Sequence, residues 1–549
     1  MNRFRPGMAF GDYMIKESAR GKVRAMEEVN PQRVRLHKWL GVGIALAVGL
    51  LLVRLVSLQL ISGGRMRVLA NENRIRQLKL SAPRGKILDR NGQILADNRA
   101  ILRIIPDSKL TVDDWQRRYP QGELAAHVVG YLGEVGQDEV GLLGEGSDKY
   151  RLQDMIGRSG VEQQYESRLR GRDGGRLVEV DSSGEVVREL GRKLPIAGQD
   201  VQLSLDMSLQ QAAMTGLAGK KGAVVATNPH TGEVLVLASS PAFNPLDLSA
   251  SLNGAELPLL NRAIGGIYAP GSTFKMITSL AALAEGKLDA GFTYTDTGTV
   301  SVGQFAYTNW YFTQYGKTEG VTGWVKGLTR SVDTFFYKVG EYTGPDLLAK
   351  WANNLGFGVK TGIDMPGEVA GLVPTPAWKE QTKGEKWFLG NTYHMAIGQG
   401  DLLVTPLQVN AMIAILASRG QNCRPHLVKD TSVPCSKTEV DPKIWDIIDR
   451  GMRGACSAGG TAFPLFDFVP AVACKTGTAE YIRSDGRIGT HAWLTAYAPA
   501  DDPTIVISVL VEGGGEGSRA AAPIVRQVLA KYFGVEDHYN YAAVSGVGE

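Results

Sequence analysis

Cysteine and histidine are scarce: the 549 residues hold four of the first and seven of the second. None of them falls in a C-x-x-C or H-E-x-x-H spacing. The usual sequence signs of a structural or catalytic zinc are therefore missing. The histidines are scattered and offer no Ser-His-Asp arrangement. A net charge of only +4 leaves no electrostatic footprint for nucleic acid. No internal repeat is evident. The run Glu512-Gly-Gly-Gly-Glu-Gly517 lacks the Lys-Ser/Thr that a phosphate loop needs, so it reads as a strand-to-helix turn. A chain of this size does not depend on disulfides. Cys423 and Cys435 are close enough to pair, but spacing alone does not decide it.

What is present is ample core material and one long apolar run. Hydrophobic residues make up 44% and charged residues 21%, which suits two to four globular domains. Charge is unevenly placed. Residues 1–38 hold nine Lys/Arg and four Asp/Glu, a net of +5, leaving −1 for the remainder. Directly after them, Trp39 to Ile61 is nearly continuous apolar sequence, interrupted by Arg54, Ser57 and Gln59. About twenty apolar residues span a bilayer, and the basic flank predicts an N-in, C-out signal anchor. No small-residue cleavage site follows it. Arg54 must snorkel outward or pair with a neighbouring helix.

Beyond the anchor, Asp89-Arg-Asn-Gly92 between short apolar runs predicts a hairpin. His127 to Val135 reads as a short strand and turn. Gly157 to Arg170 reads as a turn and a helix, and Arg176 to Val187 as a charged hairpin. Residues 62–195 are thus expected to form an elongated, strand-rich pedestal. A second composition starts near residue 196. A helix is expected over Met207–Leu217, then strands at Gly222–Thr227 and Glu233–Ser239. Three further strands follow at Ala471–Thr478, His491–Ala498 and Thr504–Glu512, with a closing helix at Ala520–Phe533. Helices inserted between the second and third strands of an antiparallel sheet, with a covering helix at the end, make an α/β sandwich. That domain is expected over 196–535, with a loose tail at 536–549.

Three short motifs carry the chemistry. Ser272 and Lys275 lie in Tyr268-Ala-Pro-Gly-Ser-Thr-Phe-Lys275, just before an apolar helical stretch. A serine hydroxyl needs an adjacent base to become a nucleophile. Residues three apart on a helix share one face, which puts Lys275 near the Ser272 oxygen. Alone, this tetrapeptide is also an ordinary helix start with a surface lysine. Ser331-Val-Asp333 follows 59 positions later, and Lys475-Thr-Gly-Thr478 a further 144 positions on. S-x-x-K, S-x-D/N and K-T-G in this order mark the serine penicillin-recognising enzymes.

On these motifs the chain resembles a class B penicillin-binding protein, a peptidoglycan D,D-transpeptidase. Ala82-Pro-Arg-Gly-Lys-Ile-Leu-Asp-Arg-Asn-Gly92, Gly157-Arg-Ser-Gly-Val-Glu162 and Ile397-Gly-Gln-Gly-Asp-Leu-Leu-Val-Thr-Pro406 extend the resemblance over nearly everything after the first thirty residues. No glycosyltransferase module precedes residue 196, which separates it from class A. Asp333, where division enzymes usually carry Asn, and Leu355-Gly-Phe-Gly-Val-Lys-Thr-Gly-Ile-Asp-Met-Pro-Gly-Glu368 place it nearer the elongation-type penicillin-binding protein 2. Two departures stand out. Some elongation enzymes carry a His/Cys/Asp metal site between the first two motifs, but residues 276–330 contain no His and no Cys. No metal and no cofactor is expected. The segment between Asn98 and Gly157 is also short for the family's pedestal head.

The resemblance implies a role for each motif residue. Ser272 is the nucleophile and Lys275 its base, made neutral by burial and by the Lys475 ammonium. Ser331 relays the proton to the leaving amine, and Asp333 holds that network. Lys475, Thr476 and Thr478 grip the substrate carboxylate, while Gly477 lets the substrate lie close to the strand. The N–H groups of Ser272 and Thr478 form the oxyanion hole. The implied partners are D-Ala-D-Ala stem peptides, beta-lactams, a RodA-like glycan polymerase, elongation scaffold proteins and the membrane. Two alternatives share the motifs: a D,D-carboxypeptidase or beta-lactam-hydrolysing relative, and a non-catalytic scaffold that activates the polymerase.

Overall fold

A computed structural model of the chain describes residues 31–104, 110–140, 149–181, 184–429, 431 and 433–539. Most of the basic N-terminal segment and the last ten residues of the C-terminal tail lie outside that set. The chain divides into two compact units, Met1–Lys79 with Ile104–Val112 and Gly175–Lys193, and the remainder.

In the first unit a helix covers Pro31–Val56 and continues through one π turn at Ser57–Ile61. The most apolar 18-residue window within Arg35–Ile61 has a mean hydropathy of 2.4, and none of that window is buried by the protein. At ~1.5 Å per residue such a helix exceeds the ~30 Å hydrocarbon layer. Its bare apolar surface suits lipid and would be a liability in water. The unit also holds a three-stranded sheet in the order Ile75–Leu80, Gly174–Val180, Val186–Lys193. Leu78, Leu110, Val112, Val178 and Val180 form its small core. The charged hairpin expected at 176–187 is therefore real, and its second strand runs further than expected.

The larger unit is built around a five-stranded antiparallel sheet. The expected helix α1 spans Met207–Gly216, capped by the Asp206 carboxylate on the N–H groups of Ser208 and Leu209. Strands β1 (Gly222–Thr227), β2 (Val234–Ser240), β3 (Ala473–Ile482), β4 (Ile488–Ala498) and β5 (Ile505–Val511) lie in the order β2-β1-β5-β4-β3. The sequence between β2 and β3 folds back as helices. Among them are α2 (Lys275–Ala284), α3 (Trp310–Tyr315), α4 (Asp333–Thr343), α5 (Pro406–Ala417) and α6 (Pro442–Ala455). The chain closes with α7 (Ala522–Phe533).

Strand alternation explains the two-sided burial. On β4, Trp493 and Tyr497 face the core shared with α2, α4 and α5. Ala492, Leu494, Ala496 and Ala498 face the core shared with α1 and α7. Period-two alternation with apolar residues on both faces is what a central strand between two helical layers requires. β3 sits at the end of the sheet, so one of its edges carries no partner strand.

One local expectation fails. Residues 127–135 begin as a helical turn, Ala126–Val129, and only Leu132–Glu134 is strand. Adjacent Val128 and Val129 are both buried. The turn pairs its buried backbone locally, Val129 N–H to Ala125 O and Gly130 N–H to Ala126 O, both at 2.8 Å, with no partner strand needed.

Candidate active site

The nucleophile loop is pinned before the helix starts. Tyr268 exchanges backbone hydrogen bonds with Val404, its N–H at 2.9 Å and its C=O at 2.8 Å. Its hydroxyl donates to Glu512 at 2.7 Å, and buried Arg262 donates to the same oxygen at 2.7 Å. The Trp493 indole donates to Ala269 O at 3.0 Å. Gly271 then adopts φ +57°, and a Cβ there would lie 2.8 Å from Thr478 O. Both the backbone angle and the close approach demand glycine. The first turn, Gly271–Phe274, is 3-10 and leads into α2. Ser272 is left half-buried at the cleft surface, while Lys275 is fully buried.

The three motifs converge on one hydroxyl. Ser331 Oγ accepts from Lys275 Nζ at 3.2 Å and from Lys475 Nζ at 2.8 Å. Lys275 Nζ also donates to Ser331 O at 2.8 Å and to Asp333 Oδ1 at 2.6 Å. Lys475 Nζ donates to Thr476 O at 2.9 Å. Ser331 holds this position with φ +55°, a left-handed conformation that is costly for a residue with a Cβ. It is not the cap of α4; that position is Val332.

The geometry adds two details to the expected roles. Lys275 spends all three ammonium donors on Ser331 and Asp333, and Ser272 Oγ makes no hydrogen bond among the described residues. The acid anchor wins because a charge-assisted bond outweighs a neutral one. The electrostatic pressure also falls differently. Burial lowers the Lys275 pKa, against the pull of Asp333. Lys475 is pushed well below the usual lysine range, by burial and then by the neighbouring Lys275 charge. Among the described residues Lys475 makes no ion pair with a carboxylate, and Asp333 alone pulls against its burial.

The free edge of β3 faces the nucleophile. A Cβ on Gly477 would sit 3.0 Å from Trp493 Cβ, 3.1 Å from Thr273 and 3.2 Å from Pro270 O. Glycine therefore lets the S-x-x-K turn and the strand close on each other. Gln399 lies along that edge, its Nε2 donating to Thr478 O at 3.2 Å and its Oε1 accepting from Glu480 N at 3.3 Å. A strand residue's N–H and C=O point the same way, so the Thr478 N–H also faces the cleft. The Ile397–Pro406 run that carries part of the resemblance thus brings its glutamine to the rim of the site. Thr476 is braced by Thr461, hydroxyl to hydroxyl at 2.8 Å.

Two disulfides complete the unit, Cys423–Cys435 and Cys456–Cys474. The second is buried and immediately precedes Lys475. Sequence spacing singled out only the first pair.

The segment between the first two motifs does not fit a zinc ion. Asp296 is its buried carboxylate. Oδ1 accepts from Gly298 N at 2.9 Å and Thr334 Oγ1 at 2.7 Å. Oδ2 accepts from Asn309 Nδ2 at 2.9 Å and Glu319 N at 2.8 Å. Four donors occupy the lone-pair directions a cation would need. Burial pushes this acid up, and those hydrogen bonds outweigh it, so its pKa is lowered. Among the described residues no three His, Cys, Asp or Glu gather in a metal-holding group.

The comparisons with known proteins agree with this geometry. The penicillin binding protein transpeptidase domain family is matched over residues 222–530. The penicillin-binding protein dimerisation domain is matched over residues 106–203. The peptidoglycan D,D-transpeptidase MrdA of Acinetobacter baumannii is 32% identical over 87% of this chain and 85% of its own length. A chain from a peptidoglycan synthase complex, solved to describe coordinated polymerization and crosslinking, is 32% identical with a TM-score of 0.74. The match covers 92% of this chain and 99% of that one. Penicillin-binding protein PBP2 of Helicobacter pylori, solved in complex with MreC, is 27% identical with a TM-score of 0.73, covering 84% of this chain and 99% of that one. By sequence and by fold, the chain belongs to the penicillin-binding protein transpeptidases, in their MrdA-type, or PBP2, branch.

Proposed function

We propose that this chain is a peptidoglycan D,D-transpeptidase of the elongation machinery, working through an acyl-enzyme on Ser272. The observation that carries the reading is Ser331 Oγ, shared by Lys275 and Lys475, both fully buried. Two buried lysines on one hydroxyl form a costly arrangement that stability alone would not select.

A stem peptide lies along the β3 edge, its terminal carboxylate against Lys475, Thr476 and Thr478. That negative charge favours the protonated form of Lys475. A proton passes from Lys275 through Ser331 Oγ to Lys475, which leaves Lys275 as a neutral amine. Lys275 then takes the Ser272 proton as Oγ attacks the penultimate D-Ala carbonyl carbon. The N–H groups of Ser272 and Thr478 stabilise the oxyanion, each worth about 3 kcal/mol. The C–N bond to the terminal D-Ala breaks, and Ser331 delivers the proton to the departing amine. The amine of a second stem peptide attacks the ester carbonyl carbon and yields a proton to Lys275, the C–O bond breaks, and Lys275 returns that proton to Ser272 Oγ. Beta-lactams enter the first half of this cycle as mimics of D-Ala-D-Ala.

The apolar helix anchors the protein in the membrane, with the basic segment inside and residues 196–535 outside as the transpeptidase domain. The positive flank supports that orientation, as do two disulfides, which persist in oxidising compartments. The partners are a RodA-like glycan polymerase and elongation scaffold proteins, in line with the synthase-complex and MreC-bound relatives. The test is fluorescent penicillin labelling of membranes, with the modified residue mapped by mass spectrometry. Ser272 alone carries the adduct, and Ser272→Ala abolishes it in a folded protein. Labelling that survives this substitution overturns the assignment.

A further inference from the structure

We infer that Asn309 and Asp296 are positioning residues for the reaction, because α3 and α4 cap each other through Asn309 and Asp333 and so aim the Asp333 carboxylate at Lys275. The inference rests on the Ser272 acyl-enzyme reading and names what sets its base.

Asn309 occupies the N-cap position of α3, yet its side chain makes no cap hydrogen bond to its own helix. Its Oδ1 instead accepts from the N–H of Asp333, the first residue of α4, at 3.1 Å. The return contact is the Asp333 carboxylate, whose Oδ2 accepts from the N–H of Trp310, the first residue of α3, at 3.0 Å. Each helix start thus supplies the other's cap. One oxygen of Asp333 remains, and it holds Lys275 at 2.6 Å.

The other end of Asn309 is fixed as firmly. It is fully buried, and its Nδ2 donates to Asp296 Oδ2. Asp296 is held in turn by Gly298 N, Glu319 N and the Thr334 hydroxyl, and Thr334 is the second residue of α4. Asp296 therefore ties both helix starts to one carboxylate. An asparagine amide can serve this place because it donates at one end and accepts at the other. An unpaired buried amide or carboxylate would be costly, and here every polar atom of the cluster is used.

The consequence concerns protonation. The charged groups facing Lys275 are Asp333 on α4 and Lys475 on β3. A displaced Asp333 pulls less on the ammonium, so Lys275 loses its proton at lower pH and its Nζ is no longer held at the Ser331 bridge. Behind this pair, Arg330 and Glu319 form their own ion pair at 2.9 Å.

A paired substitution isolates one N–H. Trp310→Pro and Trp310→Ala both lose the indole, but only proline loses the backbone donor to Asp333. Proline fits the first position of a helix, and Asn309 already has the extended backbone, φ −83° and ψ 138°, that a following proline requires. The measurement is the rate of penicillin acylation of the full-length protein in detergent, from pH 6 to 10, with the adduct mapped to Ser272 and the melting temperature recorded. We expect the proline variant to acylate roughly ten-fold more slowly than the alanine variant at neutral pH. Its acid limb moves to lower pH. Thr334→Val, which removes one donor from Asp296, shifts the limb in the same direction by less and keeps the fold. Coincident pH profiles for Trp310→Pro and Trp310→Ala, or for Thr334→Val and wild type, overturn the inference even if melting temperatures fall. Absence of label on wild-type Ser272 overturns the underlying reading instead.

Discussion

Ser331 offers a test that separates the backbone from the hydroxyl. The residue is nearly buried, sits at φ +55° and gives its oxygen to two lysines. Ser331→Ala removes the oxygen and keeps the Cβ in the left-handed region. Ser331→Gly removes both. Lys275 keeps Asp333 and Ser331 O, and Lys475 keeps Thr476 O, so no donor is left wholly unpaired and the loss to stability is modest, about 1–3 kcal/mol. Relief of the left-handed strain returns about 1 kcal/mol to the glycine variant. The alanine variant should therefore melt lowest, with the glycine variant about 2 °C above it. Activity should not follow that order. Both variants lose the relay between the lysines, a loss of roughly 10²–10⁴-fold in penicillin acylation. Stopped-flow acylation and calorimetry on the same preparations give both numbers. A glycine variant that acylates within a few-fold of wild type would show that the hydroxyl is no relay. A glycine variant no more stable than alanine would show that no strain is stored at Ser331.

Three further outcomes follow from the same geometry. Lys275→Arg should be as damaging to acylation as Lys275→Ala, because a guanidinium stays protonated at any usable pH; near-normal acylation by the Arg variant would move the base elsewhere. His127 is buried against Phe243, with Nε2 2.9 Å from Pro258 O, and burial lowers its pKa to about 4 from 6.5. The unfolded chain binds the proton first as pH falls, so stability drops between about 6.5 and 4, by about 3 kcal/mol when complete; denaturant unfolding at pH 4.5 and 7 should show a smaller drop for His127→Gln, and equal drops would refute the assignment. Purified protein should hold well under one zinc per chain and keep its melting temperature in chelator, because Asp296 is filled by four hydrogen-bond donors; stoichiometric zinc, lost together with stability, would contradict that network.

Much of the chain was legible without coordinates, and the reasons are local. The anchor follows from a nearly continuous apolar run beside a basic flank, which needs no tertiary partner to be recognised. The five strands of the central sheet follow from short β-branched and apolar runs bounded by turns, and observed ends differ from expected ones by only a few residues. β3 runs on to Ile482, past the expected end at Thr478, because its pairing with β4 continues to the tip of the hairpin. Ser272, Lys275, Ser331 and Lys475 were found by motif order, since each motif keeps its chemistry within a few adjacent residues.

What the sequence could not decide is everything that depends on residues meeting from afar. Asn309 and Asp296 carry no motif; they matter only because two helix starts come together across 24 positions. Gln399 drew no role from its sequence, and only the fold brings its amide to the edge of β3, 79 positions away. Cys456 and Cys474 looked no more paired than any other two cysteines until α6 packed against β3. The sharing of Ser331 Oγ between two buried lysines, and with it the balance of charge in the cleft, has the same origin. Local pattern determines which residue types a site contains and which elements carry them. Burial, the partner each polar atom finds and the resulting protonation are properties of the packed molecule, because they depend on how water is excluded and on which distant groups replace it.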